Sequence, residues 1–224
     1  LFKPEYYKEE TVNPYSIVEQ LSLLAGSNDV LLIDIGVCHN FILQAFKCKE
    51  GQRLIAWTNF ACLGYGLPAA IGACYAHDGQ VIAVMGDGGL QFNIQELATV
   101  VFNKLNMKII VFDNDGFGIV QHTQNNFLDR RHEATDREHG LPLPNSAKIA
   151  QAYGFPVIEI FKNEELASKM EEALSIDGPV FCCIHLSIKH WTVPCRGGKD
   201  PIEDMTPKLP RDEFYSEMII PPVS

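Results

Sequence analysis

Two short stretches of this chain carry oxygen-bearing side chains in a spacing that could serve a divalent cation. An apolar run, Val81 to Met85, ends in Gly86-Asp87-Gly88-Gly89, and a second apolar run, Met107 to Phe112, ends in Asp113-Asn114-Asp115-Gly116. If both runs are strands of one parallel sheet, their ends meet at the edge where doubly wound sheets bind ligands. The glycines let the backbone pass close to phosphate oxygens, and the helix that follows offers unpaired N–H groups to an anion. Asp87 would repel a phosphate, so it makes sense only with a cation between the two. Asp87 and Asn114 supply hard side-chain oxygens, Gly116 could add a backbone carbonyl, and a diphosphate with a water would complete a near-octahedral shell of the kind magnesium prefers. The pattern points to a magnesium ion clamping a diphosphate.

Two other phosphate-binding motifs fit less well. A dinucleotide-binding turn expects G-x-G-x-x-G, but Gln91 stands where the last glycine belongs, and Asp87 would face a pyrophosphate uncompensated. A P-loop is excluded because no Gly-Lys-Ser/Thr follows.

The elements that must position these residues can be traced along the chain. Asn13 is placed to cap a helix from Pro14 to Ala25, with Ile17, Leu21 and Leu24 on one face. Val30 to Ile35 reads as the first strand, and its end brings Gly36 to the same edge as Gly86 and Asn114. A helix from about Asn40 to Phe46 and a short strand, Arg53 to Trp57, come next. A glycine-punctuated loop from Ala61 to Gly66 leads into an apolar helix, Pro68 to Ala76. The crossover between the two motif strands reads as one helix from Asn93 to Asn103, capped by Asn93, the ordinary right-handed connection of parallel strands. Residues 119 to 143 show little periodicity and read as a long loop bordering the site and only partly ordered without partners. Alternating helices and strands at Ser146 to Tyr153, Val157 to Ile160, Glu164 to Leu174 and Pro179 to Ile184 complete an α/β fold: a doubly wound, mostly parallel sheet with helices on both faces. Residues 1 to 12 read as a polar linker from an upstream domain, 13 to 189 as the binding domain, and 190 to 224 as a Pro/Gly-rich extension wrapping over the body.

Bulk properties narrow the class. The chain has 224 residues, 46% of them hydrophobic, enough to bury a full core. A formal charge of -10 argues against nucleic acid as a partner. No apolar run approaches the ~20 residues of a membrane span and no signal peptide opens the chain, so a cytoplasmic location is expected. The seven cysteines lack C-x-x-C spacing and suggest neither a disulfide framework nor a zinc site. His132-Glu133 lacks the second histidine of a zinc-protease helix. Leu1 in place of methionine suggests an excised or processed fragment, with a separately encoded subunit as the alternative.

Gly86-Asp87-Gly88 followed at this interval by Asn114 resembles the thiamine diphosphate signature. Asn93 to Thr99 and Gly64 to Ala73 are similar to the large subunit of acetolactate synthases, and the resemblance covers their C-terminal, diphosphate-binding third. It implies Asp87, Asn114 and the Gly116 backbone as magnesium ligands, and Gly88 and Gly89 as N–H donors to the diphosphate. It places Gly36, Ala61, Gly86, Phe117, Gly118 and Ile119 against the cofactor, and makes Leu63 the bulky prop that bends it. It further implies decarboxylation of a 2-keto acid, with transfer of the remaining acyl unit to an acceptor carbonyl, chemistry that belongs to the cofactor. The catalytic residue is not identified here: the activating glutamate is expected on a pyrimidine-binding domain outside this chain, in a homodimer or higher assembly, so the isolated chain is expected to be inactive. FAD remains open for an upstream domain but not for this chain. Two departures bear on the acceptor: Thr123 replaces a tryptophan common after the metal loop, and Val37-Cys38 replace a Gln-His pair. They put a reaction of pyruvate with pyruvate in question. Gln121 to Phe127, Gly140 to Pro144 and Asp204 to Pro207 resemble acetolactate synthase-like proteins encoded with surface-polysaccharide genes, which implies a nucleotide-linked keto-sugar acceptor as an alternative; a non-catalytic cofactor-binding module is a further one.

Overall fold

The computed structural model describes residues 2–196 and 200–222; Leu1 and two parts of the C-terminal extension, 197–199 and 223–224, lie outside the described residues. The helices are α1 (Pro14–Leu24), α2 (Val37–Ala45), α3 (Gly66–Ala76), α4 (Asp87–Leu90), α5 (Leu97–Phe102), α6 (Gly118–Phe127), α7 (Ser146–Tyr153), α8 (Asn163–Ser175) and α9 (Arg211–Glu217). The strands are β1 (Val30–Ile33), β2 (Arg53–Ala56), β3 (Val81–Gly86), β4 (Met107–Asp113), β5 (Val157–Ile160) and β6 (Val180–His185). They form one sheet in the order β2-β1-β3-β4-β6-β5, and every pairing is parallel. The chain runs outward from β1 to β2 and returns to pair β3 on the other side of β1. The order therefore reverses between β1 and β3, and the crevice beyond their C-terminal ends is where such sheets take ligands.

The continuous apolar runs follow from burial on both faces. Side chains alternate along each strand. Leu31, Ile33, Ile82, Val84, Ile110 and Phe112 pack with Ile17 and Leu21 of α1, Phe41 of α2 and Leu166 of α8. Leu32, Ala83, Met85, Ile109 and Val111 pack with Leu67 of α3, Val100 of α5 and Ala150 of α7. Asn13 caps α1 as its position suggests, its side chain accepting from the Tyr15 N–H at 2.9 Å. No helix among the described residues is long and apolar enough to cross a membrane.

Three segments differ from the sequence-based expectation, each because a polar side chain is used in an unforeseen way. The crossover is not one helix capped by Asn93. Helix α4 begins at Asp87 itself, residues Gln91–Glu96 tighten into a 3-10 turn, and Asn93 kinks out of helical geometry (φ -136°, ψ 29°). Its amide donates instead to the Gly64 carbonyl oxygen at 2.8 Å, tying the crossover to the Ala61–Gly66 loop. The segment 119 to 143 opens with α6, whose apolar period is masked because its inward face carries Gln121 and Gln124. Gln121 donates to Asp136, and Gln124 donates to the Glu133 carbonyl and accepts from its N–H, so the turns after α6 are knitted to the helix. Residues before Val12 are polar in composition yet include a 3-10 turn, Pro4–Lys8, docked on the body. The Asn163 amide is shared among the carbonyl oxygens of Tyr6, Glu9 and Thr11 at 2.8–2.9 Å, and Tyr6 stacks on Tyr15. The C-terminal extension meets the body at its start, where the Tyr15 hydroxyl accepts from the Val193 N–H at 2.8 Å and the Gln44 amide donates to the Pro194 carbonyl oxygen at 3.3 Å.

Lys108 is a charged residue in the middle of β4, fully buried between Met107 and Ile109. Its ammonium reaches the carbonyl oxygens of Ile176 and Gly178 just beyond α8, each at 2.5 Å. Burial lowers its pKa from the ordinary lysine value. A Lys108→Met substitution keeps the volume but strands both carbonyls, and it should cost about 1–3 kcal/mol of stability in urea melts. An unchanged midpoint would mean that these carbonyls find water instead.

Candidate functional site

The C-terminal ends of β1, β3 and β4 deliver three loops to one cavity. From β1 comes Asp34-Ile35-Gly36, with Gly36 at φ 148° as the residue before α2. From β3 the chain enters α4 directly at Asp87. From β4 it turns through Asn114, Asp115 and Gly116 into α6.

Asp87 is only 2% exposed. Its Oδ1 accepts from the Gly88 N–H at 2.8 Å and its Oδ2 from the Gly116 N–H at 3.1 Å, so backbone amides from two strand ends fix the carboxylate. The Asn114 side-chain oxygen lies 3.2 Å from Asp87 Oδ1 and 3.1 Å from the Gly116 carbonyl oxygen. Three oxygens thus meet with no proton between them. Turning the amide over would let its nitrogen donate to both neighbours, a closed hydrogen-bonded alternative. The oxygen-inward arrangement is the one a cation can use: metal–oxygen bonds of 2.0–2.1 Å in an octahedron set adjacent oxygens roughly 2.9 Å apart. Electrostatics agree with the geometry. Burial raises the Asp87 carboxyl well above its ordinary value, and the neighbouring Asp113 raises it further. A small divalent cation fits this donor set and would reverse that penalty.

Beside this corner the cavity has an anion-binding character. Gly36, Val37 and Cys38 open α2 onto it, and Gly88 and Gly89 open α4. The unpaired N–H groups of helix starts are ready partners for phosphate oxygens. The N–H of Gly88, expected among the diphosphate donors, is already directed at Asp87 Oδ1. Packing, rather than ligand approach, requires its glycine: a Cβ at 88 would run into the Phe117 ring, and one at 89 into the Asp34 carboxylate.

Asp34 is a feature that sequence reasoning missed. It is buried, and its two oxygens accept from the Gly64 and Gly66 N–H groups at 3.1 and 3.0 Å. Burial raises its pKa while those two N–H groups lower it. Asp34 therefore holds the Ala61–Gly66 loop over the sheet edge, where Ala61 takes up a left-handed conformation (φ 49°). Such backbone persists in a non-glycine residue where the surroundings impose it.

All twelve residues singled out from sequence line one cavity of about 180 Å³: Gly36, Ala61, Leu63, Gly86, Asp87, Gly88, Gly89, Asn114, Gly116, Phe117, Gly118 and Ile119. Pro14 at the start of α1 joins the wall, as do Leu186, Ser187 and His190 beyond β6. Those four carry no local motif; only their place at the same sheet edge could have flagged them. Glu96 does not line the cavity, and its carboxylate accepts from the Thr99 hydroxyl at 2.8 Å.

Residues 34–184 match the profile of the thiamine pyrophosphate enzyme C-terminal TPP-binding domain. The chain belongs to that family. It is 31% identical over 204 residues to the acetolactate synthase large subunit of Haemophilus influenzae, covering 90% of this chain and 35% of that protein. Identity to the acetolactate synthase large subunit of Cyanidium caldarium is 31% over 175 residues, 78% of this chain and 28% of the relative. For the Escherichia coli acetolactate synthase isozyme 2 large subunit it is 28% over 204 residues, 91% and 34%. The chain spans about a third of the length of these relatives. It is thus a thiamine diphosphate-binding domain of the acetolactate synthase-like kind, and its sheet has the doubly wound parallel form expected from sequence.

The raised Asp87 pKa makes metal-free stability depend on pH. A folded-state value above the unfolded one stabilises at pH below the ordinary carboxylate pKa, and the benefit is lost as pH rises through the folded value. Between pH 5 and 8 without divalent ions, the wild-type chain should lose melting temperature more steeply than Asp87→Asn. Equal slopes in differential scanning fluorimetry would show that Asp87 is not the titrating group.

Proposed function

We propose that this chain is the diphosphate-binding part of a thiamine diphosphate- and magnesium-dependent enzyme that decarboxylates a 2-keto acid and passes the acyl unit to an acceptor carbonyl. The observation that carries this is the meeting of the Asp87, Asn114 and Gly116 oxygens beside two helix N-termini, in a chain of this family. Asp87, Asn114 and the Gly116 carbonyl would hold the magnesium ion, which would offset the charge of a diphosphate received at the N-termini of α2 and α4. When bound, thiamine diphosphate supplies the electron sink for breaking and making the carbon–carbon bonds.

The chain's own residues position and shield. Leu63, on the loop that Asp34 fixes, lines the cavity and would be the apolar prop that bends the cofactor. Ile35, Val37, Phe117 and Ile119 keep most of the wall apolar, so that water is displaced when the cavity fills. Among the described residues of the wall, Asp87 is the one carboxylate, and it is committed to the metal corner. The glutamate that activates the cofactor therefore comes, in this proposal, from a pyrimidine-binding domain.

A homodimer is part of the same proposal. Trp57 stacks on Phe60 and lies tilted against Tyr65, and Phe60 is 79% exposed. Such aromatic exposure suits a subunit contact. The seven free thiols fit the reducing cytoplasm.

Calorimetry tests the cofactor site. Thiamine diphosphate should bind the wild-type chain in a magnesium-dependent manner, and Asp87→Ala should weaken binding at least 10-fold, about 1.4 kcal/mol or more, and abolish the metal dependence. Magnesium-independent binding of equal strength in both proteins would contradict the assignment. The chain alone should release no carbon dioxide from pyruvate in a single-turnover assay; release would show that no outside glutamate is needed.

A further inference from the structure

Next along the same sheet edge, from β4 across β6 to β5, stands a second group of donor atoms, softer than the first. Cys183 and His185 are two residues apart on β6 and so project from one face of the sheet. The parallel register sets Asp113 of β4 opposite His185, and Glu159 of β5 opposite Cys183. Three strands therefore bring together a thiol, an imidazole and two carboxylates. No spacing along the chain announces this, because the sheet order makes the cluster.

Asp113 Oδ2 lies 3.4 Å from Cys183 Sγ and 3.4 Å from His185 Nδ1. Donor atoms of all three residues fall within 4.8 Å of one another. The contact between nitrogen and oxygen is longer than the usual hydrogen bond of about 2.7–3.2 Å. Zinc sits about 2.3 Å from sulfur and about 2.0–2.2 Å from nitrogen or oxygen, so its tetrahedral ligands stand about 3.3–3.6 Å apart. Both edges match. The other ring nitrogen, His185 Nε2, is 3.1 Å from Glu159 Oε1, and the Phe161 ring stacks on the imidazole with centroids 4.2 Å apart. A carboxylate at Nε2 favours the tautomer that leaves the Nδ1 lone pair free, as metal-bound histidines require. The His185 and Asp113 side chains are 26% and 18% exposed, which gives an ion a path to the buried thiol.

We propose that Asp113, Cys183 and His185 form a zinc site, with Glu159 orienting His185 and water taking the fourth position. The donor types set it apart from the magnesium corner, since thiolate and imidazole suit zinc whereas an all-oxygen shell suits magnesium. On binding, a bond forms between sulfur and metal while the thiol proton leaves to solvent. The thiolate and the Asp113 carboxylate then balance the charge of the dication. Without a cation, burial and the Asp113 charge push the Cys183 thiol up. A bound dication outweighs both, because a coordinating thiol is deprotonated outright. Asp113 directly precedes Asn114, so the ion ties the strand end that carries Asn114 to β6.

The test uses the 224-residue chain in excess magnesium, with cobalt as a coloured stand-in for zinc. Cobalt held by sulfur shows a thiolate-to-metal charge-transfer band in the near ultraviolet. Oxygen and imidazole ligands give no such band, so neither the magnesium corner nor the separate cluster of His132, Asp136 and His139 can mimic it. The wild type should show the band at one cobalt per chain, and one equivalent of zinc should remove it by displacement. Cys183→Ala should abolish the band. Because Cys183 lies in the core, two variants nearer the surface carry the test if that one fails to fold. Glu159→Gln should weaken zinc about 10-fold or more, and His185→Gln should weaken it further. A wild type without the band, a band of full strength in folded Cys183→Ala, or unchanged zinc affinity in Glu159→Gln and His185→Gln would overturn the proposal.

Discussion

The structure turns on one buried carboxylate. Asp87 is removed from water at the junction of β3 and α4, with Asp113 near enough to penalise its charge. Two backbone N–H groups partly offset that cost, and the convergence of the Asn114 and Gly116 oxygens does not: it adds negative potential. With the Asn114 oxygen inward a cation would compensate this convergence, and with the amide turned over its nitrogen would do so by donating to both neighbours. The proposed magnesium would turn this unfavourable spot into an anchor for a diphosphate.

The rest of the architecture positions that spot. Reversal of strand order between β1 and β3 opens the crevice, and the parallel register brings Gly86 opposite Phe112, so that residues 87 and 114 emerge side by side. Asp34 uses its buried charge differently, accepting two backbone N–H groups and clamping the loop with Ala61 and Leu63 above the cavity. Lys108 performs a third task at the opposite edge of the sheet, where its ammonium satisfies the carbonyls beyond α8. Each buried charge is matched to a particular set of backbone groups.

The legible part of the sequence was the part governed by local rules. Apolar runs of strand length marked the sheet, and glycine and oxygen-bearing residues at two strand ends marked the metal corner, because both patterns are written in contiguous residues. The illegible part depends on partners far along the chain. Nothing near Asp34 announces Gly64 and Gly66, nothing near Asn93 announces the Gly64 carbonyl, and Asn163 finds its acceptors more than 150 residues away. Helix α6 was hidden for a related reason: its buried side is amide rather than apolar, so periodicity is silent where hydrogen bonds do the packing. The cavity wall from Leu186 to His190 is likewise set by the sheet order, which no short motif encodes.

A crystal grown with thiamine diphosphate and manganese in place of magnesium would address the metal bridge most directly, since manganese can be located by its anomalous scattering. The account predicts a single strong peak within about 2.3 Å of Asp87 Oδ1, the inward-facing Asn114 side-chain oxygen and the Gly116 carbonyl, with diphosphate oxygens on its far side. A peak elsewhere, or an Asn114 amide nitrogen turned inward beside an ordered cofactor, would contradict it.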